Sequence, residues 1–144
     1  MKILAAVDFS TASETVLKAT GNYAKQMQAE VCLIHVEPPE PAFVGYEPGP
    51  QTVRDQVAHD MKTEHVRLHK EAKALEKTGI KVTPLLLQGP SGETIVAEAE
   101  RLGADLIIIG SHGHGALHKM LVGSTSEGVL RKAKIPVMVI PVKG

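Results

Sequence analysis

Apolar residues along this chain fall in short, nearly unbroken runs separated by stretches with helical spacing. The runs are Ile3 to Val7, Val31 to Val36, Val82 to Leu87, Leu106 to Ile109 and Val137 to Ile140. They are aliphatic and β-branched with no strict two-residue alternation, which is the pattern of strands covered on both faces in a parallel sheet. The stretches between them repeat apolar positions at three, four and seven residues. The first is capped by Ser10 or Thr11, has Glu14 in its opening turn, and turns Val16, Leu17, Tyr23, Ala24 and Met27 to the sheet. The second, about 52 to 77, uses Val53, Val57, Met61, Leu68, Ala72 and Leu75 and stops at Gly79. The third, about 92 to 102, presents Ile95, Val96 and Ala99 and ends at Gly103. The fourth, about 124 to 133, presents Val129 and Leu130.

Alternating strands and helices predict one α/β domain over residues 1–144, with a five-stranded parallel sheet and helices on both faces. Pro84 interrupts the third strand. Proline has no N–H to give to a central ladder, so this strand belongs at an edge and the expected order is 3-2-1-4-5. The order then reverses between strands one and four. Ligands in open α/β sheets bind at the carboxyl ends of the strands that flank such a reversal. Asp8, just past strand one, and Gly110, just past strand four, are therefore candidate site residues. One segment breaks the rhythm: residues 37–51 carry Pro38, Pro39, Pro41, Pro48 and Pro50 with Phe43 and Tyr46. A variable surface loop is the simpler reading there, a lid over a ligand the other.

Composition narrows the function. Sixteen Lys and Arg balance sixteen Asp and Glu, which argues against nucleic acid and against a polybasic membrane-surface protein. No apolar run reaches the ~18 residues of a membrane span. Asp8 follows the first apolar run too soon for a signal peptide, so a cytoplasmic protein is expected. Cys32 is the only cysteine, which excludes an internal disulfide and cysteine-paired zinc sites; its apolar surroundings favour an inert thiol. Phe9, Tyr23, Phe43 and Tyr46 are the only aromatics, too few for a base-stacking platform.

Candidate chemistry gathers after strand four. Gly110, Gly113, Gly115 and Gly123 fall in one segment that ends in Ser124-Thr125-Ser126 at the start of the fourth helix. Glycine lets the backbone approach a ligand, and successive N–H groups then cradle phosphate oxygens. A helix N-terminus adds unpaired N–H groups and a favourable dipole. Turn-shaping glycines with Ser124 as a plain cap is the bland alternative, but it explains neither the clustering nor the position. Neither common phosphate motif is present: no Gly-Lys-Ser/Thr triplet exists, and His118 occupies the third glycine position of a dinucleotide fingerprint.

The spacing Gly110-x2-Gly113-x9-Gly123-Ser124 resembles the ATP-binding motif of the universal stress protein family. Val7-Asp8-Phe9-Ser10 and Ile135-Pro136-Val137-Met138-Val139-Ile140 resemble its first loop and last strand. The likeness runs from Lys2 to Val142. It implies a Rossmann-like nucleotide-binding fold, a homodimer, and ATP held with Mg²⁺, the ion bound mainly through phosphates and water. It also implies residue roles. Asp8 and the backbone at Ala6 face the adenosine, and the Val36 backbone meets the adenine edge. Ile109, Gly110 and Gly113 wrap the ribose and first phosphate; Gly123, Ser124, Thr125 and Ser126 hold the other phosphates. For Asp8 the alternative is a cap on the first helix, with its place at the reversal point favouring the ligand role and the two being compatible; Val36 is equally a plain core position.

Other chemistries are weaker. His65 and His69 lie four apart on the second helix but read as a solvated face, with no HExxH arrangement. His112, His114 and His118 lie in the glycine segment, where contact with nucleotide is favoured over a transition metal. No Gly-x-Ser-x-Gly elbow exists, and Lys119 is the sole cation of the glycine segment, so no catalytic residue is assigned and efficient ATP hydrolysis is not expected. The apolar stretch Pro136 to Val142 at the far sheet edge would be covered by pairing with a second copy. Three readings follow: a nucleotide-responsive regulatory dimer read by a protein partner, a weak ATPase or nucleotide-transferring enzyme in the same pocket, and a structural dimer with an empty pocket.

Overall fold

The computed structural model describes residues 1–10, 13–37, 51–111 and 124–142, with residues 51–61 and 124 as backbone alone. Five strands and four helices alternate: β1 (Lys2–Ala6), α1 (Ser13–Met27), β2 (Glu30–Glu37), α2 (Gln51–Glu76), β3 (Val82–Gln88), α3 (Ser91–Leu102), β4 (Leu106–Gly110), α4 (Ser124–Lys132) and β5 (Val137–Ile140). All ladders are parallel, and the order is β3-β2-β1-β4-β5. Pro84 sits on the β3 edge strand opposite Leu33, where its missing N–H costs the sheet nothing.

The two faces of the sheet bury separate cores, as a doubly covered sheet requires. Ile3, Ala5, Leu33 and Ile108 point to the side of α1 and α2, where they pack on Val16, Ala24, Leu68, Ala72 and Leu75. Leu4, Cys32, Ile34, Ile107 and Ile109 point to the side of α3 and α4, against Ile95, Val96, Ala99 and Val129. A fully buried Leu or Ile contributes roughly 1.5–3 kcal/mol over an exposed one, so the paired faces supply most of the drive for folding.

Helix ends obey the expected stop signals. Gly103 adopts φ 67°, and its N–H reaches back to Ala99 and Glu100 carbonyls, a left-handed cap that glycine adopts without strain. Gly79, past the end of α2, has φ 96°.

Three helix positions differ from expectation. Tyr23 and Met27 of α1 are each 37% exposed, while Thr20 is fully buried. The Thr20 hydroxyl donates to the Val16 carbonyl at 2.7 Å, so a polar residue enters the core with its hydrogen bond made internally. Leu130 of α4 is 46% exposed, and its neighbour Val129 alone carries that contact at 0%. The described part of α2 places Leu68, Ala72 and Leu75 in the core as expected. Val53, Val57 and Met61 have side chains outside the described set.

Candidate functional site

The sheet order places β1 between β2 and β4, with chain connections leaving in opposite directions from β1 and from β4. Register pairs Ala5 with Ile108, so Ala6 and Ile109 are the next residues along each strand. Gly110 closes β4 opposite Ile140. Asp8, Ala6, Ile109 and Gly110 thus come together at the carboxyl ends of the two central strands. Val36 lies one strand over, next to last in β2 and opposite Leu87 of β3.

Asp8 is held by its own loop. The Ser10 N–H and hydroxyl donate to Asp8 Oδ1 at 3.0 and 2.6 Å, and the Ser13 hydroxyl donates to the same oxygen at 3.3 Å. These bonds order the loop that leads into α1. Phe9, the next residue, has φ 61°, a left-handed conformation unusual for a bulky side chain. Three contacts from two residues hold it there. The Phe9 ring lies 4.2 Å from the His35 ring, the Arg67 guanidinium sits 4.6 Å over it, and an Arg67 N–H donates to the Phe9 carbonyl at 3.2 Å. Strain of this kind persists only where surrounding contacts over-determine it.

The opposite wall is made by α4. The Ser126 hydroxyl donates to the Gly110 carbonyl at 2.5 Å, which ties the first turn of α4 to the end of β4. Ser124, Thr125 and Ser126 occupy that first turn, where backbone N–H groups have no acceptor within the helix. Thr125 is exposed and Ser126 buried. Ser126 therefore positions the first turn of α4 through its hydroxyl. Ser111 secures the adjoining edge: its N–H donates to the Ile140 carbonyl at 2.9 Å, and its hydroxyl accepts from the Val142 N–H at 3.0 Å. Gly113, Gly123, His112, His114, His118 and Lys119 lie outside the described residues, as does the loop 38–50.

The support around Asp8 was not legible in the motif. Phe9 stands within the Val7-Asp8-Phe9-Ser10 marker, but His35 of β2 and Arg67 of α2 come from other elements, and His35 left a trace only as the sole polar residue of an apolar strand run. His35 is 7% exposed. His65 and His69 stack at 4.3 Å on an exposed face of α2, in line with a solvated pair. A cavity of about 750 Å³ lies at the other end of the sheet, lined by Met1, Lys2, Lys25, Glu30, Lys81 and Asp105. It opens at the amino ends of the strands, the end opposite to that at which sheets of this type bind ligands.

A doubly wound parallel sheet with its reversal between β1 and β4, and with a helix N-terminus drawn to that point, defines an open α/β protein of the Rossmann-like class. The profile of the universal stress protein family matches residues 1–141, and the chain belongs to that family. Universal stress protein YxiE of Bacillus subtilis (strain 168) is 30% identical, over 96% of this chain and 97% of its own. Universal stress protein MJ0577 of Methanocaldococcus jannaschii is 30% identical over 96% of this chain and 93% of its own. The solved structure of MJ0577 superposes with a TM-score of 0.87 at 32% identity, over 99% of this chain and 96% of that one. A universal stress protein of Archaeoglobus fulgidus solved in complex with dAMP shares the fold at a TM-score of 0.66 and 23% identity, over 97% of each chain.

Proposed function

We propose that this universal stress protein binds ATP with Mg²⁺ at the carboxyl ends of β1 and β4 and acts as a nucleotide-responsive regulatory dimer. The observation that carries this reading is the anchoring of α4. The Ser126–Gly110 bond ties the first turn of α4 to the end of β4; the N–H groups of a helix's first turn have no acceptor within the helix, and they and the helix dipole favour an anion there. Gly113 and Gly123 would complete the phosphate cradle from the segment between β4 and α4. Ala6, Asp8, Val36, Ile109 and Gly110 would receive the nucleoside part.

The described residues at the start of α4 offer a nucleotide backbone N–H groups and hydroxyls. Backbone N–H groups supply the phosphate contacts, which is consistent with a chain whose positive and negative residues balance. Mg²⁺ would be held chiefly by phosphate oxygens and water, since that ion keeps much of its hydration. When bound, it would neutralise phosphate charge; the chain's own part is to orient the nucleotide and to let the glycine segment respond to it. Binding of dAMP by the Archaeoglobus protein is a property of that protein, and it supports the reading only in showing that the fold can accept an adenine nucleotide.

Acid extraction of the purified chain is expected to release ATP, identified by chromatography. ATP that survives for hours on the protein supports a binding role over hydrolysis. Extracts without nucleotide, from a chain that also fails to bind added Mg·ATP, would overturn the proposal.

A further inference from the structure

His35 and its neighbours form a cluster that the nucleotide site does not use. His35 and Glu37 lie two apart on β2 and so face the same side of the sheet, toward α2. Glu64 comes down from α2. His35 Nε2 stands 2.7 Å from Glu37 Oε1 and 3.2 Å from Glu64 Oε2, and one ligand atom from each of the three residues lies within 4.8 Å of the other two. The other ring nitrogen, Nδ1, is 2.7 Å from the Val7 carbonyl. A backbone carbonyl only accepts, so Nδ1 donates there, and in the neutral ring Nε2 carries the lone pair. Three electron-rich atoms then face one another. Such an arrangement needs a cation between them, either protons or a metal ion.

We infer that His35, Glu37 and Glu64 bind a divalent first-row transition cation such as Zn²⁺, at a site separate from the nucleotide phosphates. Several observations favour a metal over shared protons. A ligating histidine commonly donates its second nitrogen to a backbone carbonyl or carboxylate, which fixes the ring and its tautomer; the Val7 bond does this. Metal–nitrogen and metal–oxygen bonds of about 2.0–2.2 Å around a tetrahedral ion put ligand atoms ~3.4 Å apart, so the 3.2 Å separation would open by about 0.2 Å and the 2.7 Å one by about 0.7 Å. Imidazole with carboxylates suits transition cations, whereas Mg²⁺ prefers oxygen and water.

Among the described residues, carboxylates outnumber cations around the cluster. Asp8 and Glu71 act on this region along with Glu37 and Glu64, while Arg67 is the guanidinium they share. Glu71 Oε2 is buried without a hydrogen-bond partner among the described residues. Val36, flanked by two of the ligands, links this site to β2 beside the proposed nucleotide, but the inference does not depend on nucleotide binding.

The test is a titration of Zn²⁺ into the full chain, after chelator and nucleotide have been removed by dialysis. The exposed His65–His69 pair is a rival site, so the same titration is run on the His65→Asn/His69→Asn variant. One equivalent of Zn²⁺ should bind in both. Affinity should fall about tenfold or more in Glu64→Gln and in Glu37→Gln, and Mg²⁺ should bind at least tenfold more weakly than Zn²⁺. Co²⁺ in place of Zn²⁺ should give a visible absorption band that Glu64→Gln weakens. Melting of the metal-free variants shows that they fold. No Zn²⁺ binding to the native chain overturns the inference. So does binding that survives both glutamine substitutions, or that disappears with His65 and His69.

Discussion

Cys32 lies on β2 with 5% of its surface exposed and faces α3. Burial, reinforced by the charge of Glu98, pushes its thiol up to about 11. Since the thiolate is the reactive form, Cys32 is neutral at pH 8 and inert while the chain is folded. A disulfide reagent at pH 8 should titrate it only after denaturant is added; prompt reaction in the native chain would contradict its placement. The nearby residues of β2 show how much of the site the sequence carried. Asp8 and Gly110 were legible because a proline-marked edge strand fixes the sheet order, and the order fixes the reversal point. His35 was not, because one histidine in an apolar run reads as core until its partners are known. Glu37 ends the same strand, and Glu64 arrives from a helix 27 residues further on. The Phe9–Arg67 contact was hidden for the same reason: sequence spacing carries no information on contacts across 58 positions.

Among the elements, strands were read well because burial on both faces leaves long aliphatic runs. Helices were read less well. In α1 the apolar body of Tyr23 and the flexible Met27 resembled core residues, while Ser13 and Thr20, both buried, resembled surface. Each short hydroxyl has a local hydrogen-bond partner, Asp8 and Val16 respectively, which removes the cost of burial. A nine-residue α4 is too short for periodicity to separate Val129 from Leu130, neighbours turned by about 100°. Packing of α3 on α4 gives a prediction at this scale. A Cβ on Gly92 would sit 3.3 Å from backbone atoms of Gly128, whereas one on Gly128 would meet Gly92 at an ordinary 3.7 Å. Gly92→Ala should therefore destabilise the chain by about 1–3 kcal/mol through overpacking. Gly128→Ala should be neutral, or stabilising by up to ~1 kcal/mol through helix propensity. Denaturant midpoints of the two variants check this, and equal midpoints would mean the helices are not in close backbone contact.

At the level of the whole molecule, β5 closes the sheet as an edge strand paired only to β4, and its first three residues are half-buried. An apolar edge of this kind is a pairing surface. Equilibrium sedimentation should give twice the 15.4 kDa chain mass, and Pro141→Lys, at an exposed position beside that edge, should weaken the dimer without lowering the melting temperature. A single-chain mass at every concentration would remove dimerisation from the proposal. Among the described residues no helix is long and apolar enough to cross a membrane. Balanced charge, which at first speaks against polyanions, is compatible with the proposed site, in which helix α4 and glycine backbone would supply the phosphate contacts. The most direct measurement is titration calorimetry of Mg·ATP into the nucleotide-free chain, compared with the Gly113→Val/Ser124→Ala variant. Saturable binding of one ATP per chain is expected in the native protein, weakened by at least 10- to 100-fold in a variant that melts normally, the loss expected for a charged hydrogen bond alone. No binding by the native chain, or equal affinity in the two, would contradict a phosphate site at the start of α4.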